Sequence, residues 1–248
     1  MTHNHFFSVG GISFPGDIAV SLGERHPSNV GLIRIAAQLD GDIIVSADVT
    51  SGYGHRAAEK LFEVRDYRSL IMLADRHDWL SAFSGELVVT CTIENAMRLV
   101  TPPRATLLRT LLAEVARIHS HLSFLSYLAD GPLETRLWGC VEGLREAALT
   151  WAGNRVHPML NRVGGLASDM PEGWGEDLEP LLDDIARIAS DLRTVLADAS
   201  HLRGLALLDR GACVDYALSG PVARAAGLDL DRRAGGYLAY DQLFRPVQ

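Results

Sequence analysis

The spacing of apolar residues changes near residue 55 of the chain. Before that point, short apolar stretches alternate with glycines, which is typical of strands joined by turns. The apolar-rich residues 32–35 and 43–46 flank the dipeptide Asp40-Gly41. Because both central residues of a tight hairpin turn must tolerate positive φ, Asp-Gly in this setting is a strong hairpin signal. The pattern predicts a small antiparallel β-sheet lobe over residues 1–54.

From residue 55 onward, apolar residues recur at steps of three and four, which is the spacing of helices that bury one face. Five helices are predicted, over residues 57–74, 85–99, 103–130, 133–156 and 176–199. The third has the clearest apolar stripe, formed by Leu107, Leu108, Leu111, Leu112, Val115, Ile118, Leu122 and Leu125. After Gly204, glycines interrupt the pattern. We therefore predict a mainly α (α+β) fold, with a helix-bundle core over residues 55–248 that forms one continuous domain with the β lobe.

Composition narrows the possible functions. An apolar fraction of 48% over 248 residues supports a real hydrophobic core. The net charge of −8 argues against nucleic-acid binding, which needs a basic face. Cys91, Cys140 and Cys213 are widely separated, so we expect no disulfide framework, no cysteine-ligated cluster and no metal site on this chain alone.

The distribution of apolar residues also bears on membrane association. The N-terminus lacks a basic stretch followed by a long apolar run, so no signal peptide is expected. No stretch approaches about 18 consecutive apolar residues, the length of a membrane-spanning helix. If the protein works at a membrane, it is expected to work as a peripheral subunit.

Several short stretches, in the same order along the chain, resemble one known family. They are GERHPSNVG at residues 23–31, HRAAEKL at 55–61, DRHDWLS at 75–81, GNRVH at 153–157, RVGG at 162–165, DMPEG at 169–173 and LSGP at 218–221. These are similar to motifs of the 49 kDa, or D-type, subunit of the NADH–quinone oxidoreductases (complex I). The run EVARIHSHL at residues 114–122 is similar to the related membrane-bound nickel–iron hydrogenase large subunits as well. The C-terminal portion of the family has no counterpart within these 248 residues.

The resemblance implies a nickel–iron hydrogenase large-subunit-like fold and a role beside a quinone. By resemblance, His26, Val30, Asp78 and Trp79 line the quinone pocket, and His55 and Arg56 lie near an iron–sulfur cluster held by a partner subunit. The implied partners are that small iron–sulfur subunit, the other respiratory subunits and, indirectly, the membrane arm. The implied location is the cytoplasmic, inner face of the cell membrane.

The chain departs from the family where protons are needed. The family has a histidine at the position of Val30 and a tyrosine at that of Trp79. Valine donates nothing, and the indole N–H of tryptophan forms hydrogen bonds without giving up its proton. Trp79 can still stack on a flat headgroup. The sequence therefore keeps the shape of a headgroup wall more than its proton chemistry.

The retained residues have alternative roles. His26 either replaces the lost proton donor or is a structural loop residue bonded to the backbone. His55 and Arg56 either tune the partner's cluster, because a nearby cation stabilises its reduced form, or bridge to Glu59 at the start of a helix. His77 beside Asp78 is an addition to the family pattern, but sequence neighbours on a helix point apart.

Hydrogenase activity is excluded for this chain, and the reaction with NADH is expected on another subunit. A nickel–iron site needs two Cys-x-x-Cys pairs, and the first pair would fall at Asp78 and Ser81, so hydrogenase activity is excluded. No GxGxxG follows a strand, and in this family NADH reacts on another subunit, so any link to NAD comes from the complex.

Three hypotheses remain for function. The first is a redox subunit that forms one wall of a quinone pocket, with quinone as substrate and no cofactor held by this chain alone. The second is a non-catalytic structural or assembly paralogue, as Val30 and Trp79 suggest. The third is a gene fragment with an incomplete core.

Overall fold

The computed structural model describes residues 8–9, 12–13, 18–20, 34–40, 43–52, 54–129, 131–197, 203–204 and 207–243. Within them, helices dominate and the strands are short, so the mainly α prediction is confirmed. The strands are β1 (Ser8–Val9), β2 (Ile12–Ser13), β3 (Ile18–Val20), β4 (Arg34–Asp40), β5 (Ile43–Thr50), β6 (Asn161–Arg162) and β7 (Gly165–Leu166). The helices are α1 (Ala58–Val64), α2 (Tyr67–Asp75), α3 (Ala82–Met97), α4 (Pro103–Ser126), α5 (Gly131–Ala152), α6 (Trp174–Ala197), α7 (Arg210–Asp215), α8 (Gly220–Ala225) and α9 (Tyr240–Leu243).

The predicted hairpin around Asp40-Gly41 is confirmed. Strands β4 and β5 pair antiparallel, with Asp40 opposite Ile43, and β3 pairs with the other edge of β4. Every residue of β5 is exposed, including four large aliphatic side chains. The division into a lobe over residues 1–54 and a helical part over 55–248 stays a prediction.

The core lies between helices α3 to α6. Helix α4 packs against α3 and α5, and α5 packs against α6. The most deeply buried apolar side chains of this core are Phe83, Leu137, Val141, Leu144, Trp174 and Ile188. Trp151 and Trp174 meet edge to face with ring centroids 4.9 Å apart, and Trp174 Nε1 donates to the carbonyl of Ala147 at 2.8 Å.

Several predicted helix boundaries were wrong. Residues 57–74 form two helices, because Asp66 accepts the backbone N–H of Arg68 and begins a new helix at Tyr67. Helix α4 ends at Ser126, and Gly131, at φ +61°, begins α5 rather than ending α4. Helix α3 begins at Ala82, after a 3-10 turn at Trp79–Ser81, so Gly85 lies inside it.

The predicted stripe of α4 is largely correct. Leu108, Leu112 and Leu122 are buried, and the other members are partly buried, except Leu107. That side chain is 49% exposed. Helix ends are therefore harder to place from sequence here than the buried face of a helix.

Helices α2 and α3 are in close contact at Gly85. A Cβ atom there would lie 2.5 Å from the carbonyl oxygen of Ala74. We expect Gly85→Ala to lower the free energy of unfolding by about 1–3 kcal/mol, because the backbone of α2 must move. Chemical denaturation would measure the change.

Gly139 provides the matched control. It lies inside α5, and a Cβ there would have no atom within 4 Å. Gly139→Ala is expected to stabilise by about 0.5–1 kcal/mol, through helix propensity alone. If Gly85→Ala also stabilised the protein, that result would contradict the close contact between α2 and α3 at this position.

Candidate functional site

A cleft of about 870 Å³ opens between helices α1 and α2 and the 3-10 turn at Trp79–Ser81. Four of the six residues assigned to the site by resemblance line it, namely His55, Arg56, Asp78 and Trp79. The other two, His26 and Val30, lie outside the described residues. The structure therefore brings together two pairs of residues that are more than 20 positions apart in sequence.

The charged residues of the cleft are mostly basic. Its charged and titratable lining consists of His55, Arg56, Glu59, Arg65, Arg76, His77 and Asp78. Three arginines against two carboxylates give a positive balance, whereas the whole chain carries −8. An anion, or a group that gains negative charge, is favoured in such a cleft.

The turn at Trp79–Ser81 fixes the inner wall of the cleft. Asp78 Oδ1 accepts the backbone N–H of Leu80 at 3.2 Å and so caps the turn. The neighbouring Trp79 is half-buried and contacts both the cleft and a smaller apolar cavity of about 70 Å³ behind it. Trp79 and its neighbour Leu80 line both spaces and therefore separate them.

Two carboxyl groups are buried next to each other, and one of them contacts Arg76 of the cleft. Asp75, at the end of α2, and Glu86, in α3, are both 0% exposed. Glu86 Oε1 accepts the N–H of Met159 at 2.7 Å, and Oε2 accepts the N–H of Asn161 at 2.9 Å. Burial, followed by its hydrogen bond with Asp75, raises the pKa of Glu86 to about 8.

Asp75 connects the buried pair to the surface. Its Oδ1 accepts Arg76 Nη1 at 3.0 Å and lies 2.5 Å from Nδ1 of His157. Arg76 also lines the cleft. Asp75 Oδ2, by contrast, is buried without a hydrogen-bond donor among the described residues.

A second buried charge pair holds the loop that follows α5 against the bundle. Arg109 of α4 is 1% exposed and donates to both carboxylate oxygens of Glu94 in α3, at 2.9 and 2.7 Å. The same guanidinium donates to the carbonyls of Arg162 and Gly165. Burial alone would raise the pKa of Glu94, but the hydrogen bonds from Arg109 and from the N–H of Gly164 outweigh it and lower that pKa.

Known proteins of similar sequence identify the family. Residues 139–247 match the family described as respiratory-chain NADH dehydrogenase, 49 Kd subunit. The NADH-quinone oxidoreductase D-type subunit 2 of Salinispora tropica is 44% identical over 96% of this chain and 64% of the relative. The chain belongs to the 49 kDa, D-type subunit family of NADH-quinone oxidoreductases. The D-type subunit 1 of Streptomyces coelicolor is 43% identical over 95% of the chain, and the D-type subunit of Protochlamydia amoebophila is 34% identical over 91%.

The chain spans only part of these 49 kDa-type relatives. It covers 64% of the Salinispora tropica and Streptomyces coelicolor proteins and 59% of the Protochlamydia amoebophila protein. A C/D-type subunit of Gluconacetobacter diazotrophicus is also 34% identical over 90% of the chain. The match therefore identifies the family, and it leaves the activity of this chain to be argued from its own residues.

His119 and His121, which fall in the family-like stretch of α4, point to different places. His119 lines the small apolar cavity behind Trp79, where its Nε2 accepts Arg145 Nε at 3.3 Å. The other ring nitrogen, Nδ1, therefore carries the hydrogen and lies 3.3 Å from the carbonyl of Leu80. His121 lines a separate groove beside Cys91. The two histidines therefore line different cavities.

Sequence reasoning missed the residues that are most deeply buried and charged. Glu86, Glu94 and Arg109 are polar residues inside otherwise apolar helix faces, and that position was the available signal. A charge at such a position needs a partner, but sequence spacing does not reveal one that is 15 or more residues away.

Metal-ligating side chains are not grouped in the part of the chain that the structure describes. Among those residues, no cluster of three or more His, Cys, Asp or Glu side chains could hold a metal ion. None of the described helices combines the length and apolar character required to cross a bilayer. The three cysteines are free, with Cys140 and Cys213 buried.

Proposed function

We propose that this chain is a complex I-type subunit that forms one wall of a quinone headgroup site, beside an iron–sulfur cluster held by a small partner subunit. The observation that carries the proposal is the shared cleft. His55 and Arg56, which the family resemblance assigns to the cluster side, and Asp78 and Trp79, which it assigns to the quinone side, line the same space. The hydrogenase large-subunit-like arrangement of the helices is part of this proposal.

The chemistry of the cleft suits an acceptor that gains negative charge. Quinone reduction adds two electrons, here from the partner's cluster, and two protons, to give the quinol. The cationic residues Arg56 and Arg76 favour the negative charge that the headgroup carries after it gains electrons and before it gains protons. Trp79 offers an aromatic face to the headgroup, and His55 and His77 are titratable groups of the same cleft.

Exposed apolar surface supports assembly with other subunits. The edge strand β5 exposes Ile43, Ile44, Val45 and Val49. An edge strand with such side chains is a surface that proteins normally cover. We propose that the chain docks on the small iron–sulfur subunit and other respiratory subunits, and reaches the membrane arm indirectly, at the cytoplasmic face of the cell membrane. NADH would react on another subunit of that complex.

Replacing Trp79 tests the quinone site. In the purified complex, Trp79→Ala is expected to raise the KM for quinone about fivefold, since lost stacking removes about 1 kcal/mol of binding. Trp138→Ala is the matched control, because Trp138 packs edge-on against Tyr127 away from the cleft. An unchanged KM in Trp79→Ala would contradict the proposed site.

A second candidate is a structural paralogue that has lost quinone chemistry. The residues that favour it are Val30 and Trp79, neither of which gives up a proton. The double variant Val30→His with Trp79→Tyr separates the two candidates. If the unaltered complex shows no quinone turnover and the double variant gains none, the paralogue is supported. Recovered quinone reduction would count against it.

A further inference from the structure

Three proton-binding side chains meet behind the cleft wall, and quinone binding in the cleft does not use them. They are Glu86 from α3, Asp75 from the end of α2, and His157 from the loop after α5. Both carboxyl groups are fully buried, whereas the His157 side chain is 26% exposed. The group therefore extends from the protein interior to solvent.

One carboxylate oxygen of this group, Asp75 Oδ2, has no hydrogen-bond donor among the described residues. Each oxygen of Glu86 accepts a backbone N–H, and Asp75 Oδ1 accepts from Arg76. Asp75 Oδ2 is buried and accepts nothing from the residues that the structure describes. An unpartnered buried carboxylate oxygen is costly. A proton shared between Asp75 and Glu86 would satisfy it, and would also remove the repulsion of two adjacent buried charges.

Arg76 links this pair to the cleft. Its guanidinium binds Asp75 at 3.0 Å, and its side chain, 41% exposed, also lines the cleft. Among the described residues, Arg76 is the cation that contacts the pair directly, and His157 is the titratable group that contacts it from the other side. Negative charge that develops in the cleft competes with Asp75 for Arg76.

We propose that Asp75 and Glu86 are a proton-uptake site that is filled from solvent through His157 and controlled from the cleft through Arg76. At neutral pH the pair holds one proton. When the cleft becomes more negative, Arg76 stabilises the Asp75 carboxylate less, and the pair binds its proton more tightly. Near and above pH 8, where the pair is only partly protonated, this tighter binding raises the protonated fraction. The added proton comes from water by way of the imidazole, and no other bond is made or broken. Asp75 and Glu86 do not line the cleft themselves. They act on it through Arg76, the side chain that they help to position.

This coupling rests on the proposed function in one respect, namely that a quinone is the ligand that brings negative charge to the cleft. Proton binding by the pair can be measured without a quinone. A failed infrared test would therefore leave the quinone site standing, and a failed quinone test would leave the carboxyl pair standing.

Infrared spectroscopy of the full chain as a function of pH tests the proposal. We expect the absorption of a protonated carboxyl group at neutral pH that disappears with a midpoint near the pKa of about 8. Glu86→Gln should abolish this absorption, since the isosteric amide keeps the acceptor for Met159 but carries no titratable proton. Absence of the absorption from the unaltered chain, or its persistence in Glu86→Gln, would overturn the proposal.

Two arginine variants test the coupling, even if Glu86→Gln fails to fold. Arg76→Met should move the midpoint of the carboxyl absorption to higher pH by one unit or more, because the cation beside Asp75 is lost. That shift corresponds to proton binding by the pair that is at least tenfold tighter. Arg68→Met is the matched control on the same helix, since Arg68 is exposed and pairs with Asp66. Equal midpoints in Arg76→Met and the unaltered chain would overturn control from the cleft.

Discussion

Replacing Arg109 by methionine is expected to lower the free energy of unfolding by about 3–5 kcal/mol. Arg109 is 1% exposed and donates to both carboxylate oxygens of Glu94, which is itself buried. Methionine fills the space but leaves the Glu94 carboxylate without its countercharge. The carbonyls of Arg162 and Gly165 lose their donor as well. Urea denaturation monitored by circular dichroism would measure the loss.

Arg136→Met is the matched control for this substitution. Arg136 pairs with Asp191 at 2.7 Å, but both side chains are about half exposed. An exposed pair contributes little, so the control is expected to change stability by less than about 1 kcal/mol. The double variant Arg109→Met with Glu94→Leu should recover part of the loss, since neither buried charge of this pair then remains. Similar stability of Arg109→Met and Arg136→Met would contradict the buried pair.

Stability is expected to fall as pH rises between about 4.5 and 8 in a way that depends on Glu86. Burial and Asp75 raise the pKa of Glu86 from 4.5 to about 8 in the folded protein. In this window the folded state binds a proton that the unfolded state has released. The contribution to stability is therefore fully present below the unfolded pKa and is lost, at up to about 1.4 kcal/mol per pH unit, as pH rises through the folded pKa.

Glu86→Gln isolates this contribution from those of other groups. The variant cannot titrate at position 86, so the stability difference between it and the unaltered chain should change steadily across the window. Glu63→Gln, at an exposed ion pair with Lys60, should keep the slope of the unaltered chain. The two variants would be compared by urea denaturation at a series of pH values. Parallel curves for Glu86→Gln and the unaltered chain would show that Glu86 is not a proton-binding group.

The sequence was sufficient for features that depend on local spacing. The stripe of α4 and the Asp40-Gly41 hairpin follow from periodicity and turn chemistry, and the structure contains both. The break at Asp66 was not predicted, because the aspartate that caps the second helix is a residue type that also occurs within uninterrupted helices. The boundary between α4 and α5 was misplaced because a glycine at positive φ, here Gly131, can stand at either end of a helix.

The candidate site was predictable only in part, because it combines motifs with long-range contacts. The family resemblance named the residues of the cleft, and the fold brings four of them together. No local pattern pairs Asp75 with His157, or Glu86 with the backbone of Met159 and Asn161. Those contacts exist because the close approach at Gly85 and the return of the loop after α5 bring distant residues together.

The most direct test of the quinone site is photoaffinity labelling. A photoreactive quinone would be added to membranes of the host that contain the tagged chain, and the labelled peptides would be located by mass spectrometry. We predict labels within residues 76–80, with the strongest at Trp79, and their disappearance when excess ordinary quinone competes. Labelling of other subunits alone, or labels on this chain that ordinary quinone does not displace, would contradict the claim that this cleft is a quinone wall.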